Sequence, residues 1–231
     1  MEIYAINVEN ADFLLCQYLS RHVSEELRNK LQRYRFKDDF IRSFFGEVLV
    51  RIVAFDHWNI SHHQVKIVRN EYSKPVLLGY PNYHFNISHS SDWVVACFDI
   101  SPVGIDIERI RPFDLAIANR FFSQLEIVHM YNQPVNQRLS CFYEFWTLKE
   151  SYIKAEGKGL SIALHTFSFL LEGKDIKLNA GTEMDTWRFR MYELDPGYKM
   201  AVCGNPLLFP EKIHILPWTR ASDHFERIVN A

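Results

Sequence analysis

Apolar residues recur along the chain with two different periods, and these periods predict both helices and strands. The clearest helical stripe runs from about Asp38 to Phe55, with apolar side chains at every third or fourth position. Ser24 is the predicted N-cap of a shorter helix that precedes it, because a serine hydroxyl accepts from the first free backbone N–H groups. Further helices are predicted at residues 115–122, 124–131 and 138–156, the last ended by Gly157 and Gly159.

Shorter apolar runs, several of them alternating with polar residues, predict strands. The polar cluster His89–Asp92 is predicted to form a hairpin loop between two of these strands. The predicted strands lie at residues 3–6, 65–68, 84–88, 93–98, 103–108, 166–171, 186–194 and 199–203.

Helices and strands mix without a regular βαβ alternation, and this mixture predicts an α+β fold. Each half of the chain offers one long amphipathic helix followed by a few strands, so a duplicated architecture is expected although no residue-level repeat is visible. We predict an N-terminal half at 1–102 and a C-terminal half at 103–205. The proline-spaced, weakly patterned remainder at 206–231 is predicted to be a tail.

Composition excludes several classes of protein. The 231 residues carry 26 Lys and Arg against 28 Asp and Glu, and the net charge of -2 excludes a generally basic nucleic-acid coat. No apolar run approaches the ~18 residues that cross a bilayer, and the start lacks the pattern of a signal peptide. Four widely spaced cysteines in apolar surroundings are predicted to be reduced core residues of a cytoplasmic protein: Cys16, Cys97, Cys141 and Cys203.

Two carboxylates stand two residues apart in the predicted strand 103–108. Asp106 and Glu108 therefore point to the same face of that strand. Neighbouring like charges repel, so the pair favours a cation between them, and oxygen ligands suit Mg²⁺. The alternative is an exposed strand end whose acids pair with Arg109 or Arg111, and this segment alone leaves both interpretations open.

Three functional side chains share one face of the predicted helix 138–156. Trp146, Glu150 and Lys154 are spaced four residues apart. Glu150 is a candidate for a third metal ligand or a base, and Lys154 is a candidate for binding an anion. The alternative is an ordinary surface Glu–Lys pair, which contributes about 0.3–0.5 kcal/mol.

Basic residues elsewhere in the chain are candidates for binding a polyphosphate. Between Ser20 and Arg42 there are seven Lys and Arg against four Asp and Glu. Basic side chains that face one cleft would bind several phosphates together, whereas a solvated basic helix face is the alternative. Arg42 departs from that alternative because apolar Phe40, Ile41 and Phe44 surround it. The candidates outside this segment are Lys74 and His89.

No motif supplies a nucleophile belonging to the protein itself. The sequence contains no GxSxG elbow, no GxxxxGK[ST] P-loop and no GxGxxG turn. If the chain is an enzyme of phosphate chemistry, we therefore expect the attacking group to come from a substrate.

Taken together, four segments in this order resemble the 4'-phosphopantetheinyl transferases, in particular the long type that activates carrier domains of peptide synthetases. The segments are Glu71–Pro75, Phe85–Ser90, Gly104–Glu108 and Phe145–Leu160. The resemblance extends over nearly the whole chain, from Ile3 to Cys203.

This resemblance implies a fold and a reaction. The implied fold consists of two similar α+β halves related by a pseudo-twofold, with the active site in the cleft between them. The implied reaction moves phosphopantetheine from coenzyme A to a serine of an apo peptidyl or acyl carrier protein and releases 3',5'-ADP. The implied biological setting is the synthesis of nonribosomal peptide antibiotics or siderophores.

The resemblance also implies roles for individual residues. Asp106, Glu108 and Glu150 would hold Mg²⁺ against the pyrophosphate, and Trp146 would frame this cluster. Lys154 would stabilise the departing phosphate, while Glu150, directly or through a metal-bound water, would take the proton of the carrier serine. The positions that match coenzyme A contacts are Lys30, Arg42, Lys74, Ser88, His89 and Lys154.

Four further expectations complete the sequence-based picture. Leu27 stands where some relatives carry a lysine near the adenine, so that nucleotide contact is expected to be missing. The carrier is expected to dock around Phe113 to Phe122. A monomer is expected, without nucleic-acid or membrane partners, because the two halves complete a cleft. The alternative function is another Mg²⁺-dependent phosphodiesterase or nuclease that uses the same three acids.

Overall fold

The structure is a computed structural model that describes residues 1–173, 175–180, 186–205 and 209–231. Its α-helices are α1 (Phe13–Leu19), α2 (Glu25–Leu31), α3 (Lys37–Trp58), α4 (Ala118–Phe121), α5 (Gln124–Asn132), α6 (Val135–Glu156) and α7 (Trp218–Val229). Its first six strands are β1 (Glu2–Asn7), β2 (Ile67–Arg69), β3 (Pro75–Leu77), β4 (His84–Ser90), β5 (Trp93–Asp99) and β6 (Gly104–Arg109). The remaining strands are β7 (Ser168–Glu172), β8 (Asp175–Asn179), β9 (Arg188–Tyr192), β10 (Tyr198–Gly204) and β11 (His214–Pro217).

The two halves of the chain repeat one order of elements. In the first half a strand, β1, leads through helices to long α3, a small hairpin β2–β3, and strands β4 and β5. In the second half β6 leads through helices to long α6, a small hairpin β7–β8, and strands β9 and β10. The sheets repeat as well, with neighbours in the order β1-β5-β4 and β6-β10-β9. The predicted α+β fold of two similar halves is confirmed.

Each half is organised round one 22-residue helix, which forms because its apolar positions recur at helical spacing. Helix α3 buries Phe44, Phe45 and Val48 in the core of the first half. Both long helices end at a residue in the left-handed conformation, Asn59 with φ 54° and Gly157 with φ 73°. A separate apolar cluster, which includes residues of β1, β5, β6 and β10, packs the two sheets against each other.

Most elements lie within a few residues of their predicted positions, and the hairpin between β4 and β5 is the informative exception. The predicted hairpin is confirmed, but its predicted loop His89–Asp92 is too long, because β4 continues through Ser90 and β5 begins at Trp93. Only Ser91 and Asp92 turn, with Ser91 at φ 50°. The polar residues of β4 belong to a strand because their side chains bind the neighbouring strand β6 rather than water.

The predicted tail is also wrong within the residues described beyond 208; residues 206–208 lie outside the described part of the chain. Strand β11 pairs in parallel with β1 in the first half, and α7 packs on α3. Helix α7 buries Ala221, Phe225 and Ile228, which are spaced at i, i+4 and i+7 on one face. This periodicity is short and follows several prolines, so it did not stand out in the sequence. The C-terminal segment β11–α7 therefore belongs to the sheet and the core of the first half.

The predicted place of the cysteines in the core is confirmed, because all four are free and buried. Within the described residues, no helix combines the length and the apolar character needed to span a membrane.

The return of α7 to the first core makes a testable prediction about stability. Phe225 is fully buried and its ring lies 6.0 Å from the ring of Phe44. We expect Phe225→Ala to lower the free energy of unfolding by about 3–5 kcal/mol, because it leaves a cavity in the first half. Glu226 is exposed in the same helix, so Glu226→Ala should change the free energy of unfolding by less than about 0.5 kcal/mol. Urea unfolding measures both, and equal effects of the two substitutions would contradict the packing described here.

Candidate active site

A cavity of about 490 Å³ opens between the two halves. Strand β6 and helix α6 of the second half contribute its acidic side chains, together with Lys154. Helix α2, helix α3 and strand β4 of the first half contribute the opposite wall, where Leu27, Lys30 and His89 lie. The candidate residues from separate parts of the sequence thus meet in one cleft.

Gly104 allows helix α6 to approach strand β6 closely. A Cβ atom at this position would stand 2.0 Å from the backbone oxygen of Ser151 and 2.5 Å from the backbone nitrogen of Ala155. Any other residue would push the helix away from the strand. This contact brings Glu150 and Lys154 beside the carboxylate of Asp106.

Asp106 is almost fully buried at the centre of the cleft. Its Oδ1 accepts from Lys154 Nζ at 2.5 Å and from Ser88 Oγ at 2.8 Å. Its Oδ2 is buried without a hydrogen-bond partner in the described residues. A buried carboxylate oxygen without a partner is costly, so this atom is a place where a cation would bind favourably.

Glu108 lies two residues further along β6, on the same face as predicted. Its Oε2 accepts from Ser90 Oγ at 2.8 Å, and the nearby indole of Trp146 favours its ionised form. The indole ring of Trp146 is itself held by Phe121 and Phe142 at centroid distances of 5.4 and 5.8 Å. The predicted framing role of this tryptophan agrees with these contacts.

Burial raises the pKa values of all three acids, and repulsion from neighbouring carboxylates adds to this rise for Glu108 and Glu150. Burial raises the pKa of Asp106, and burial together with Asp106 raises the pKa of Glu108. Burial, Asp106 and Glu108 raise the pKa of Glu150 to about 7. Burial opposes the charge of Lys154, yet Asp106 and the two glutamates outweigh it and raise its pKa. Lys154 therefore stays positively charged in the cleft. A second cation bound there would lower the raised pKa values of the three acids and favour their ionised forms.

The donor set suits a divalent cation, although it is not assembled into a ligand cluster. Within the described residues, no group of three His, Cys, Asp or Glu side chains stands close enough together to form a ready-made metal site. The unpartnered Oδ2 of Asp106 and the raised pKa values of its neighbours nevertheless fit Mg²⁺, which prefers carboxylate oxygens. The residues present thus match the metal in chemistry.

The nucleotide candidates divide into three groups by position. Lys30, Ser88, His89 and Lys154 line the cleft. His89 is open to water on one side, but the surrounding protein atoms desolvate its ring, and with Arg42 they lower its pKa to about 4. A bound phosphate beside this imidazole would raise its pKa and so favour the protonated ring.

Arg42 lies in a second cavity of about 630 Å³, on the other side of Glu108. Its guanidinium donates to the carbonyl of Ser91 at 2.8 Å and to Asp39 at 2.6 Å. Glu108 lines both cavities, so the two spaces meet at the acidic cluster.

Lys74 has a different place from the one predicted. Its ammonium group donates to the backbone carbonyls of Val103, Lys154 and Ala155 at 3.2, 2.6 and 3.1 Å. An ammonium group has three donors, so these carbonyls occupy all of them, and two belong to the end of helix α6. Lys74 therefore fixes the helix that carries Glu150, and its predicted contact with phosphate does not agree with this geometry.

Sequence patterns did not single out three residues that hold the walls of the cleft together: Gly104, Asn86 and Ser90. The signal was present, because Asn86, Ser88 and Ser90 recur at every second position of one strand, and Asn86 and Ser88 are buried there. Polar side chains at i, i+2 and i+4 of a buried strand indicate a neighbour that needs hydrogen bonds.

Comparison with known proteins agrees with this geometry over both halves. Residues 102–203 match the family model of the 4'-phosphopantetheinyl transferase superfamily, and residues 12–100 match the model of the 4'-phosphopantetheinyl transferase N-terminal region. The transferase ffp of Bacillus subtilis is 40% identical over 87% of this chain and 90% of its own length. The corresponding transferases psf-1 of Bacillus pumilus and gsp of Aneurinibacillus migulanus are 38% and 36% identical over 94% and 88% of this chain.

The chain belongs to the 4'-phosphopantetheinyl transferase superfamily. Phosphopantetheinyl transferases use coenzyme A as a substrate and act on carrier proteins. Membership confirms the resemblance inferred from the four motifs, and it decides against the phosphodiesterase or nuclease alternative.

The raised pKa of Glu150 predicts how a variant of this transferase responds to pH. The folded chain holds the Glu150 proton more tightly than the unfolded chain, so the group's contribution to stability falls as pH rises from about 4.5 to about 7. We therefore expect Glu150→Gln, measured by thermal unfolding in EDTA, to be more stable than the wild type at pH 8. This advantage should shrink as the pH falls toward 4.5.

A matched control lies in the same helix. Glu144 pairs with Lys199 at 2.6 Å, so Glu144→Gln should give no gain in stability at pH 8. A difference between Glu150→Gln and wild type that stays constant from pH 8 to pH 4.5 would contradict the electrostatic account.

Proposed function

We propose that this transferase moves phosphopantetheine from coenzyme A to a serine of an apo carrier domain in the cleft between its halves. The observation that supports this most is the cluster of Asp106, Glu108 and Glu150 beside Lys154, in a cavity lined by both halves. Such an arrangement places negative ligands and a fixed cation where a pyrophosphate is to be cleaved.

We propose that Mg²⁺ is the cofactor and that Asp106, Glu108 and Glu150 hold it. The unpartnered Oδ2 of Asp106 and the mutual repulsion of the acids support this assignment. When bound, the ion neutralises pyrophosphate charge and polarises the phosphorus that is attacked.

Glu150 is the proposed general base. Its carboxylate faces the cleft beside Asp106, Glu108 and Lys154, and it would accept the serine proton, directly or through a bound water, in the ionised form that a bound cation favours. The serine oxygen then forms a bond to the phosphorus nearer the pantetheine arm. The bond from that phosphorus to the bridging oxygen breaks, the bridging oxygen keeps the electron pair, and 3',5'-ADP leaves.

Lys154 and the first-half side chains are proposed to bind the anionic parts of coenzyme A. Lys154 keeps its charge beside Asp106 and stabilises the phosphate that leaves. Lys30 and His89 face the same cavity, and Leu27 lies beside Lys30 in its wall. Arg42, the remaining coenzyme A candidate, borders the second cavity rather than the first.

The carrier serine is proposed to arrive through the second cavity. An in-line displacement requires the attacking oxygen to approach opposite the leaving phosphate, and the second cavity meets the first at Glu108. Its rim includes Arg111 and Tyr143, and partly exposed Phe113 packs on Tyr143 at 5.7 Å. The carrier is therefore proposed to dock on Phe113–Phe122 beside this rim.

The wider setting is also part of the proposal. The enzyme acts as a monomer, since both walls of its cleft come from one chain. Four free, buried cysteines are usual for a cytoplasmic protein, which is where we propose it acts. Its carriers belong to nonribosomal peptide synthesis, with acyl carriers as the second class to test.

The direct test is a mass measurement on the carrier. Purified protein with Mg²⁺, coenzyme A and an apo peptidyl carrier domain should raise the carrier's mass by one phosphopantetheine. An apo acyl carrier protein in a parallel reaction tells which class is preferred. Folded protein that modifies neither kind of carrier would overturn the proposed transfer.

Asp106→Asn tests the metal cluster within this assay. Asparagine keeps the shape and the bond to Ser88 but removes one carboxylate, so transfer should fall by about 100-fold or more. The control Asp175→Asn changes an exposed acid of β8 and should stay within about twofold of the wild type. Wild-type transfer by Asp106→Asn across a Mg²⁺ titration would show that the metal assignment is wrong.

A further inference from the structure

Strands β4 and β6 are joined by side chains rather than by a backbone ladder. They are the neighbouring edge strands of the two sheets, one in each half. Asn86 Oδ1 accepts from the backbone nitrogen of Ile105 at 2.9 Å. Ser88 Oγ and Ser90 Oγ accept from the next two alternate nitrogens of β6, Ile107 at 3.3 Å and Arg109 at 3.1 Å. We name Asn86, Ser88 and Ser90 the side-chain ladder.

Both serines of the ladder donate and accept with the same hydroxyl, and Ser88 Oγ also accepts from Lys154 Nζ at 3.3 Å. A hydroxyl has one hydrogen to donate and can accept as well. Ser88 donates to Asp106 Oδ1 and Ser90 donates to Glu108 Oε2, each at 2.8 Å. The backbone N–H of β6 occupies a lone pair of each serine oxygen, and the hydroxyl hydrogen is directed to the carboxylate on the same strand.

The two carboxylates depend on the ladder to different degrees. Asp106 is short, buried and also bound by Lys154. Glu108 has one more rotatable bond and is more exposed than Asp106, so it has more orientations to lose. The hydroxyl of Ser90 binds one oxygen of Glu108 and thereby restricts the orientation of the carboxylate.

We propose that Ser90 is a positioning residue that holds the Glu108 carboxylate in the orientation needed to bind the metal. The inference rests on the metal role proposed for Glu108. Ser90 is not among the residues that were predicted to contact coenzyme A, so this role is separate from theirs. Partners that orient metal ligands typically change metal affinity by about 10–100-fold when removed.

The test measures metal binding without turnover. Protein with saturating coenzyme A and no carrier is titrated with Mn²⁺, and the free ion is followed by electron paramagnetic resonance. Ser90→Ala should weaken Mn²⁺ binding by about 10-fold or more. Ser90→Thr, which keeps the hydroxyl, should restore binding to within about threefold of the wild type.

Asn86→Ala is the matched control, because Asn86 belongs to the ladder but its side chain contacts none of the three acids through a described hydrogen bond. It should lower the melting temperature while leaving Mn²⁺ affinity within about threefold of the wild type. Wild-type affinity in Ser90→Ala, or an equal loss in Asn86→Ala, would overturn the positioning role. Glu108→Gln separates the two proposals. If it weakens binding and Ser90→Ala does not, only Ser90 is misassigned; if neither does, the metal role of Glu108 fails as well.

Discussion

The buried pair of Asp106 and Lys154 is the interaction on which the rest of the site depends. An ionised carboxylate is costly in a protein interior unless a cation and hydrogen bonds compensate it. Lys154 and Ser88 compensate one oxygen of Asp106, whereas its second oxygen has no partner among the described residues. The pair requires helix α6 to lie directly on strand β6, and Gly104 is the residue that makes this distance possible. Asp106 thus uses one oxygen to bind Lys154 and leaves the other free to bind a cation.

The two halves share a topology but divide the chemistry. The order of elements and strands is the same in both, yet the strand β1 carries apolar side chains where its counterpart β6 carries Asp106 and Glu108. The first half instead supplies hydroxyls, basic residues and the turn at Ser91. Because neither half contains the whole set, the cleft depends on how they are held together. The side-chain ladder, the apolar cluster between the sheets and the returning strand β11 provide that connection.

Sequence patterns predicted the local elements and the chemistry of the site better than they predicted long-range contacts. Helix α3 and the face shared by Asp106 and Glu108 follow from periods of 3.6 and 2, which are local properties. Lys74 was assigned to phosphate because charge alone does not tell which anionic or carbonyl group a lysine meets; its partners lie 29 to 81 residues away. The role of α7 depended likewise on a core built by the other end of the chain. Gly104 was read only as part of a motif, since close approach between two elements is visible only after folding.

A crystal structure with coenzyme A and Mg²⁺ tests the central claim most directly, because it locates the cation and the pyrophosphate relative to Asp106. The account predicts that carboxylate oxygens of Asp106, Glu108 and Glu150 hold the cation beside the pyrophosphate. It also predicts that Oδ2 of Asp106 is the atom of that residue which binds, since Lys154 occupies Oδ1. A pyrophosphate bound outside the cleft between the halves, or a cation bound without these carboxylates, would contradict it.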